Sequence, residues 1–205
     1  MRVLLVNGSP NTEGCIFTAL SEVSKTLNAE GIETEMFQVG SLPLQGCNSC
    51  WKCKEIKKCI FDDIVNEFAA RFEESDGIVI GSPVYFSSAN GSVVSFLDRL
   101  FFSTAFSKAM KVGAAVVNAR RGGCSTTFDV LNKYFTISGM PIASSKYWND
   151  VHGYTPEDTA KDEEGLQTMR VLGRNMAFLI KSIALGKEKY GLPEKETRVF
   201  TNFIK

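Results

Sequence analysis

Short apolar runs alternate along the chain with stretches in which hydrophobic residues recur every three or four positions. Val3-Leu4-Leu5-Val6, closed by Gly8-Ser9-Pro10, has the form of a strand buried on both faces and a turn, and predicts β-structure over Arg2 to Asn7. Ile16, Leu20, Val23 and Leu27 share one helical face, so an amphipathic helix is predicted over residues 15 to 30, ended by Gly31. Ile32 to Val39 alternates and predicts a second strand, whereas Gly40 to Cys59 shows no period. Asp62 or Asp63 is placed to cap a helix carrying Ile64, Phe68 and Phe72. A third strand is predicted over Gly77 to Gly81, a helix through Val93, Val94, Leu97, Leu100 and Phe101, and a fourth strand over Val112 to Asn118. Phe128, Leu131 and Phe135 mark another helix, and Met140 to Ser144 reads as a short fifth strand. After an aromatic loop, Leu166, Met169, Leu172, Met176, Leu179, Ile180 and Ile183 define a long last helix. Beyond Gly186 the tail is polar, then ends in Val199-Phe200-Thr201-Asn202-Phe203-Ile204.

Strands interleaved with helices predict an α/β fold, a doubly wound five-stranded parallel sheet with helices on both faces. By analogy with other chains of this kind the strand order is expected to be 2-1-3-4-5. One domain over residues 1–186, with the cysteine-rich stretch 40–60 inserted, and a tail over 187–205 are expected, without internal repeats. Composition agrees: 205 residues, 44% hydrophobic and 22% charged, suffice for one sizeable core. The 23 basic and 23 acidic residues cancel, which argues against a general nucleic-acid or membrane-surface binder. No apolar run approaches the roughly 20 residues needed to cross a bilayer. Met1-Arg2 leads into the first strand without a signal-peptide cleavage pattern, so a cytoplasmic protein is expected.

In such sheets ligands bind beyond the carboxyl ends of the strands. Here those ends carry Gly8 to Cys15, Ser82-Pro83-Val84-Tyr85-Phe86-Ser87 and Asn118-Ala119-Arg120-Arg121-Gly122-Gly123, all rich in small polar residues or glycine. The first loop opens a helix, so its backbone N–H groups and the helix dipole suit a phosphate, with Ser9 and Asn11 as side-chain donors. It is neither a P-loop nor a Gly-x-Gly-x-x-Gly fingerprint, and taken singly it is equally an ordinary turn. The second loop suits a flat heteroaromatic ring against Tyr85 and Phe86, unless these are core aromatics. Arg120 and Arg121 suit an anionic cofactor or a nicotinamide phosphate, or else form a solvated basic surface.

Four of the six cysteines follow the spacing Cys47-x2-Cys50-x2-Cys53-x5-Cys59. A structural zinc site joins two well-separated Cys-x-x-Cys pairs. This spacing is closer to the Cys-x2-Cys-x2-Cys run that ligates a [4Fe–4S] cluster, the alternative being a set of reduced thiols. Lys52, Lys54, Lys57 and Lys58 favour thiolates and offset an anionic cluster. Cys15 and Cys124 read as small packing residues of the ligand loops. His152, the only histidine, follows Tyr147 and Trp148 on the ligand side; His152 and Trp148 are candidates for a substrate pocket, and a structural role for the histidine is the alternative. No nucleophilic arrangement is evident, and the pairs Asp62-Asp63 and Glu163-Glu164 fit helix N-termini better than acid–base chemistry. No catalytic side chain is assigned.

Gly8-Ser9-Pro10, Gly81-Ser82-Pro83-Val84-Tyr85 and Phe96-Leu97-Asp98-Arg99 together resemble the NADPH-dependent FMN reductase family, from Met1 to about Ile183. The cysteine spacing followed by Asp62-Asp63 resembles its iron–sulfur flavoprotein branch. The resemblance implies a flavodoxin-like fold and bound FMN. It implies that the phosphate lies on the loop from Ser9 through Asn11, Gly14, Cys15 and Ile16 to Phe17. It implies that the ring lies against Pro83, Val84, Tyr85, Phe86 and Ser87, near Ala119, Arg120, Arg121 and Gly122. Family members often carry Arg or Lys after Ser-Pro and Asn-Thr in place of Cys15-Ile16, so here backbone N–H groups and Thr18 are expected to do more. A homodimer or homotetramer is implied too, with the cysteine loop and the Tyr147 to Tyr154 loop as candidate contacts.

Three functions follow. The first is an FMN-dependent oxidoreductase that passes electrons from NAD(P)H to a quinone, flavin, azo or nitro compound, or an electron carrier; there the cofactor carries the chemistry. The second is an iron–sulfur flavoprotein that accepts electrons from ferredoxin through a [4Fe–4S] cluster. The third is a non-enzymatic flavin-binding redox sensor.

Overall fold

A computed structural model describes residues 1–197 and 199–203 of the chain. In chain order the elements are β1 (Arg2–Asn7), α1 (Cys15–Ala29), β2 (Glu33–Gln38), α2 (Cys53–Ile56), α3 (Ile64–Glu74), β3 (Gly77–Tyr85), β4 (Ser88–Ala89), α4 (Gly91–Ser103), β5 (Val112–Ala119), α5 (Cys124–Ile137), β6 (Asp150–His152), α6 (Pro156–Thr159) and α7 (Glu163–Tyr190). The main sheet is parallel in the order β2-β1-β3-β5-β6, with β4 antiparallel on the end of β3. The expected order is therefore observed.

Alternation along the central strands explains their unbroken apolar runs. Leu4, Val6, Ile78, Ile80, Ala115 and Val117 face a layer made by α3, α4 and α5. Val3, Leu5, Val79, Ala114 and Val116 face α1 and α7. Both faces are dry, so the middles of β1, β3 and β5 are apolar throughout and polar residues such as Asn7, Ser82 and Asn118 appear toward their carboxyl ends. Each fully buried aliphatic or aromatic side chain contributes about 1.5–3 kcal/mol relative to exposure. That summed burial fixes the strand ends, and with them the loops that leave the sheet.

Two expectations need correction. The fifth strand is not Met140 to Ser144: there only Ile142 bridges Gly113, between the bonds Gly113 N to Pro141 O (2.9 Å) and Ala143 N to Gly113 O (2.8 Å). Regular pairing resumes at Asp150–His152 against Val117–Ala119. Pro141 has no N–H for a ladder. Between the two pairings the fully buried Asn149 donates its side-chain amide to Ala115 O (3.1 Å). The last helix also crosses the expected domain end at residue 186 and runs to Tyr190. Gly186 points into open space, Lys187 and Lys189 complement the helix dipole, and Gly191, at φ 74°, stops it. Ile204, the last residue of the apolar terminal run, lies outside the described residues. Among the described residues no helix is long and apolar enough to cross a membrane.

Candidate functional site

The first loop is folded by its own polar side chains. Asn7 accepts from Ser9 N (3.1 Å) and donates to Thr12 O (2.9 Å). Ser9 Oγ accepts from Asn11 N (3.1 Å), and Gly14 N donates to Asn11 O (3.2 Å). The buried Ser9 thus shapes the turn and keeps its hydroxyl proton for a ligand, while Asn11 is exposed. Asn90 caps α4 by accepting from Ser92 N (2.9 Å), and its amide donates to Gly8 O (3.0 Å) and Gly40 O (3.3 Å). That one side chain ties the ends of β1 and β2 to the start of α4, and the Asn90 backbone N–H adds the end of β3 by donating to Ser82 Oγ (3.0 Å). The backbones approach so closely that a Cβ at Gly8 would lie 2.4 Å from Gly81 O.

Helix capping differs from loop to loop. Helices α3, α4, α6 and α7 begin on the side chains of Asp63, Asn90, Thr155 and Asp162. Helices α1, α2 and α5 have no side-chain cap, and they begin at the first loop, in the cysteine loop and at the third loop. The first turn of α1 also lacks acidic residues, so the N–H groups of Cys15, Ile16 and Phe17 face outward without an intrahelical acceptor. Bare amides at the positive end of a helix suit a phosphate. Ile16 packs its side chain into the core, Thr18 turns its hydroxyl back to Gly14 O (3.4 Å), and Cys15 Sγ lies 3.8 Å from Gly153 O. At these positions the backbone, rather than the side chains, is what the loop offers.

The second loop is a two-residue hairpin. Val84 pairs with Ala89 and Tyr85 with Ser88, leaving Phe86 and Ser87 at φ 52° and 58°. Such a turn favours Asn and Gly, and an L side chain there costs about 1–2 kcal/mol. This strain presents Phe86 fully exposed and Tyr85 nearly half exposed, so neither is a core aromatic. Strain at an exposed aromatic is a mark of a functional loop. The third loop lies against it: a Cβ on Gly123, itself at φ 92°, would be 3.0 Å from Ser87 Oγ. Arg120, Arg121 and Gly122 are exposed beside this junction and Ala119 is buried. Asn118 fixes the neighbouring strand end by donating to Val151 O (3.2 Å) and Gly153 O (3.4 Å).

All four clustered cysteines line one cavity, together with Trp51, Phe61, Arg99 and Phe102. No three of their sulfurs lie within 4.8 Å of one another. Four thiols on one cavity are a donor set for a [4Fe–4S] cluster as well as for a single zinc ion, and the Cys-x2-Cys-x2-Cys run favours the cluster. Ser49, Trp51 and Lys57 hold positive φ around it, at 54°, 62° and 61°. Arg99, 1% exposed, anchors the loop. Its Nε donates to Cys59 Sγ (3.3 Å), its two terminal nitrogens each reach an oxygen of Asp63 (2.8 Å), and one also donates to Gln45 O (3.3 Å). Burial works against the guanidinium charge, but Asp63 and Cys59 outweigh it and hold its pKa above the ordinary value. Asp63 also caps α3 through Val65 N (3.1 Å). Asn66 adds bonds to Cys59 N, Cys59 O and Phe61 O, each at 3.0 Å.

His152 and Trp148 line a cleft of about 520 Å³ on the far side of the third loop, with Arg121, Gly122, Cys124, Asp150 and Asp162 among its walls. Burial, aided by the neighbouring Asp150, pushes the Cys124 thiol up to about 12, which removes it as a thiolate nucleophile. Burial likewise raises Asp150 above the usual carboxylate range. Sequence reasoning passed over Asn90, Asn118, Arg99 and Asp150 as site residues. For Arg99 a signal existed: it stands on the buried face of α4 with Phe96 and Ser103, a cation in an apolar stripe.

Solved structures share this architecture. RosB, in complex with the intermediate 8-demethyl-8-formylriboflavin-5'-phosphate, superposes with a TM-score of 0.72 at 14% identity, covering 100% of this chain and 94% of that one. A flavodoxin from the domain Archaea superposes at 0.61 with 14% identity, covering 88% and 99%. The fold is thus flavodoxin-like. Residues 1–155 match the family described as NADPH-dependent FMN reductase, and the chain belongs to that oxidoreductase family. It is 34% identical over 191 residues to an iron–sulfur flavoprotein of Methanocaldococcus jannaschii, covering 89% of this chain and 99% of that protein. It is 27% identical over 197 residues to an iron–sulfur flavoprotein of Methanosarcina thermophila, covering 92% and 100%.

Proposed function

We propose that the chain is an FMN-dependent oxidoreductase of the iron–sulfur flavoprotein kind. In this reading it holds a [4Fe–4S] cluster on Cys47, Cys50, Cys53 and Cys59 and exchanges electrons with a small protein carrier such as ferredoxin. The observation that carries it is the single cavity lined by all four cysteines of the Cys-x2-Cys-x2-Cys run and anchored by the buried Arg99. The names of its relatives support it. When bound, FMN supplies hydride and single-electron chemistry and the cluster single-electron transfer. The chain's own residues bind and orient. The bare amides of Cys15 to Phe17, with Ser9 and Asn11, take the phosphate. Pro83 to Ser87 and Ala119 to Gly122 frame the ring, with Phe86 covering it. Arg99 holds the Cys59 sulfur and donates a hydrogen bond to it. No side-chain acid or base is needed. The six free thiols suit a reducing, cytoplasmic setting.

Anaerobically purified protein should contain FMN, iron and acid-labile sulfide, and show flavin bands on a broad shoulder. Iron and sulfide absent even after anaerobic reconstitution would overturn the cluster, and absent flavin would overturn the whole reading. A second reading has NAD(P)H donate directly, and the exposed Arg120 and Arg121 beside the ring loops favour it. Flavin bands bleached by NADPH without a carrier would select it. Reversible thiol loss without iron or turnover would instead select a redox sensor. The exposed aromatics Phe86, Tyr147, Trp148 and Tyr154 around the loops support assembly into a homodimer or homotetramer, which sedimentation would test.

A further inference from the structure

Cys124 opens α5, and Asp150 and His152 stand on the edge strand β6. Residues two apart on a strand point to the same face, so Asp150 and His152 project together while Val151 between them enters the core. The register of β6 on Val117–Ala119 sets this face beside the first turn of α5. As a result Cys124 Sγ, a carboxylate oxygen of Asp150 and an imidazole nitrogen of His152 all lie within 4.8 Å of one another. Among the described residues no other group of three such side chains gathers as closely.

We propose that Cys124, Asp150 and His152 form a binding site for a divalent transition metal of the zinc class, separate from the cysteine loop. The donor set is a mixed one. The thiol, protonated in the free protein, releases its proton to solvent as the ion binds, and the resulting thiolate, carboxylate and imidazole match a borderline ion, whereas magnesium or calcium would take oxygens and copper(I) would take sulfurs. Three protein ligands with the exposed His152 on the open side leave a fourth position toward the cleft, as in zinc sites that bind water or substrate. The cleft is acidic on balance, since Asp150, Asp162 and Glu164 outnumber Arg121 even with the positive end of α5 nearby. The strand is also held in place. Asp162 accepts from His152 N (2.7 Å) and from Gly165 N (2.9 Å), which ties β6 to the start of α7 without using a ligand atom of the site. The proposal does not rest on the FMN and cluster reading, although Arg121 and Gly122 of the ring loop also line this cleft: flavin and iron content report on that reading, and Co²⁺ binding reports on this one.

The test is an anaerobic titration of the purified, oxidised protein with Co²⁺, read in the d–d bands beyond the flavin absorption, with Zn²⁺ as competitor. One equivalent should bind with the intense bands of a tetrahedral sulfur-containing site and be displaced by Zn²⁺. Cys124→Ala and Asp150→Asn should each weaken it at least tenfold. His152→Gln alters an exposed side chain and should do the same without disturbing the fold, judged by unchanged FMN content. Cys59→Ala should leave the signal intact. Weak octahedral bands only, a signal unaffected by Cys124→Ala and His152→Gln, or a signal abolished by Cys59→Ala would each overturn the proposal.

Discussion

The loops at the strand ends and the cysteine loop solve the same problem by opposite means. At the strand ends, Asn90 and Asn118 bond backbone groups at or just beyond the ends of strands, while Asn7 and Ser9 fold the first loop onto the end of β1. The cradle is therefore shaped before any ligand arrives, and its strain is confined to the Phe86-Ser87 turn. The cysteine loop has one short helix, α2, and no strand to set its position. It relies on Arg99, Asp63 and Asn66 and on the contact of Trp51 with Phe102 at 5.4 Å. Among the described residues, five of the six non-glycine positions with positive φ lie in these two regions, three of them in the cysteine loop. A site built from backbone on a sheet should tolerate loss of a side chain, and a site hung on one buried ion pair should not.

The strongest way to break this contrast is at the sulfur. Cys59→Ala should remove iron and acid-labile sulfide from anaerobically prepared protein while FMN content stays the same. A parallel loss of FMN would show that the two regions are not independent. Asp63→Asn comes next. It keeps a capping oxygen for α3 but leaves a buried guanidinium without its counter-charge, and urea unfolding should show a loss of about 3–5 kcal/mol. Arg99→Met should cost less, because the carboxylate it leaves behind is 31% exposed and can be hydrated. The reverse ranking would mean that desolvation of Arg99 does not govern the pair. On the cradle side, Ser9→Ala combined with Asn11→Ala should weaken FMN binding about tenfold, roughly 1.4 kcal/mol, with little change in unfolding. Unchanged flavin content would remove the phosphate from this loop.

The smallest expected effect concerns Lys108, between α4 and β5. Burial, and then Lys54 and Lys111, lower its ammonium to about 8. In the unfolded chain it titrates near ~10.4. Below the lower value the amine is charged in both states and the folded chain carries the full desolvation cost. Between the two values the folded chain has released a proton that the unfolded chain keeps, so this group's contribution to stability rises with pH. Lys108→Met should stabilise at pH 7 by about 1 kcal/mol, since the cation's contacts with the Phe101 and Phe106 rings are lost as well. The gain should fade toward pH ~10.4, and thermal unfolding across that range would show it.

Most of the frame was legible because local and global signals agree there. Strand β1 and helix α1 fall within a residue of expectation, since burial on both faces of the sheet writes an apolar run and burial on one face of a helix writes a stripe. The edge strand was not legible. Three residues are too few for a period, and the better apolar run, Met140 to Ser144, contains Pro141 and leaves the sheet. The cysteine motif was legible because its spacing is local. Its anchor was harder to see, because nothing in the sequence around Arg99 says that the guanidinium reaches a sulfur and a carboxylate from another segment.

By itself, then, the sequence determined the order of the long helices and of the first four parallel strands, the three glycine- and serine-rich strand ends and the grouping of four thiols, all carried by neighbours along the chain. Only the tertiary structure decided that those thiols share a cavity beneath a buried arginine, that Phe86 is turned outward by a strained hairpin, and that Cys124 meets Asp150 and His152. These meetings depend on strand register and on where α4 and α5 pack, and burial of the two apolar layers fixes both without leaving a trace near the residues themselves.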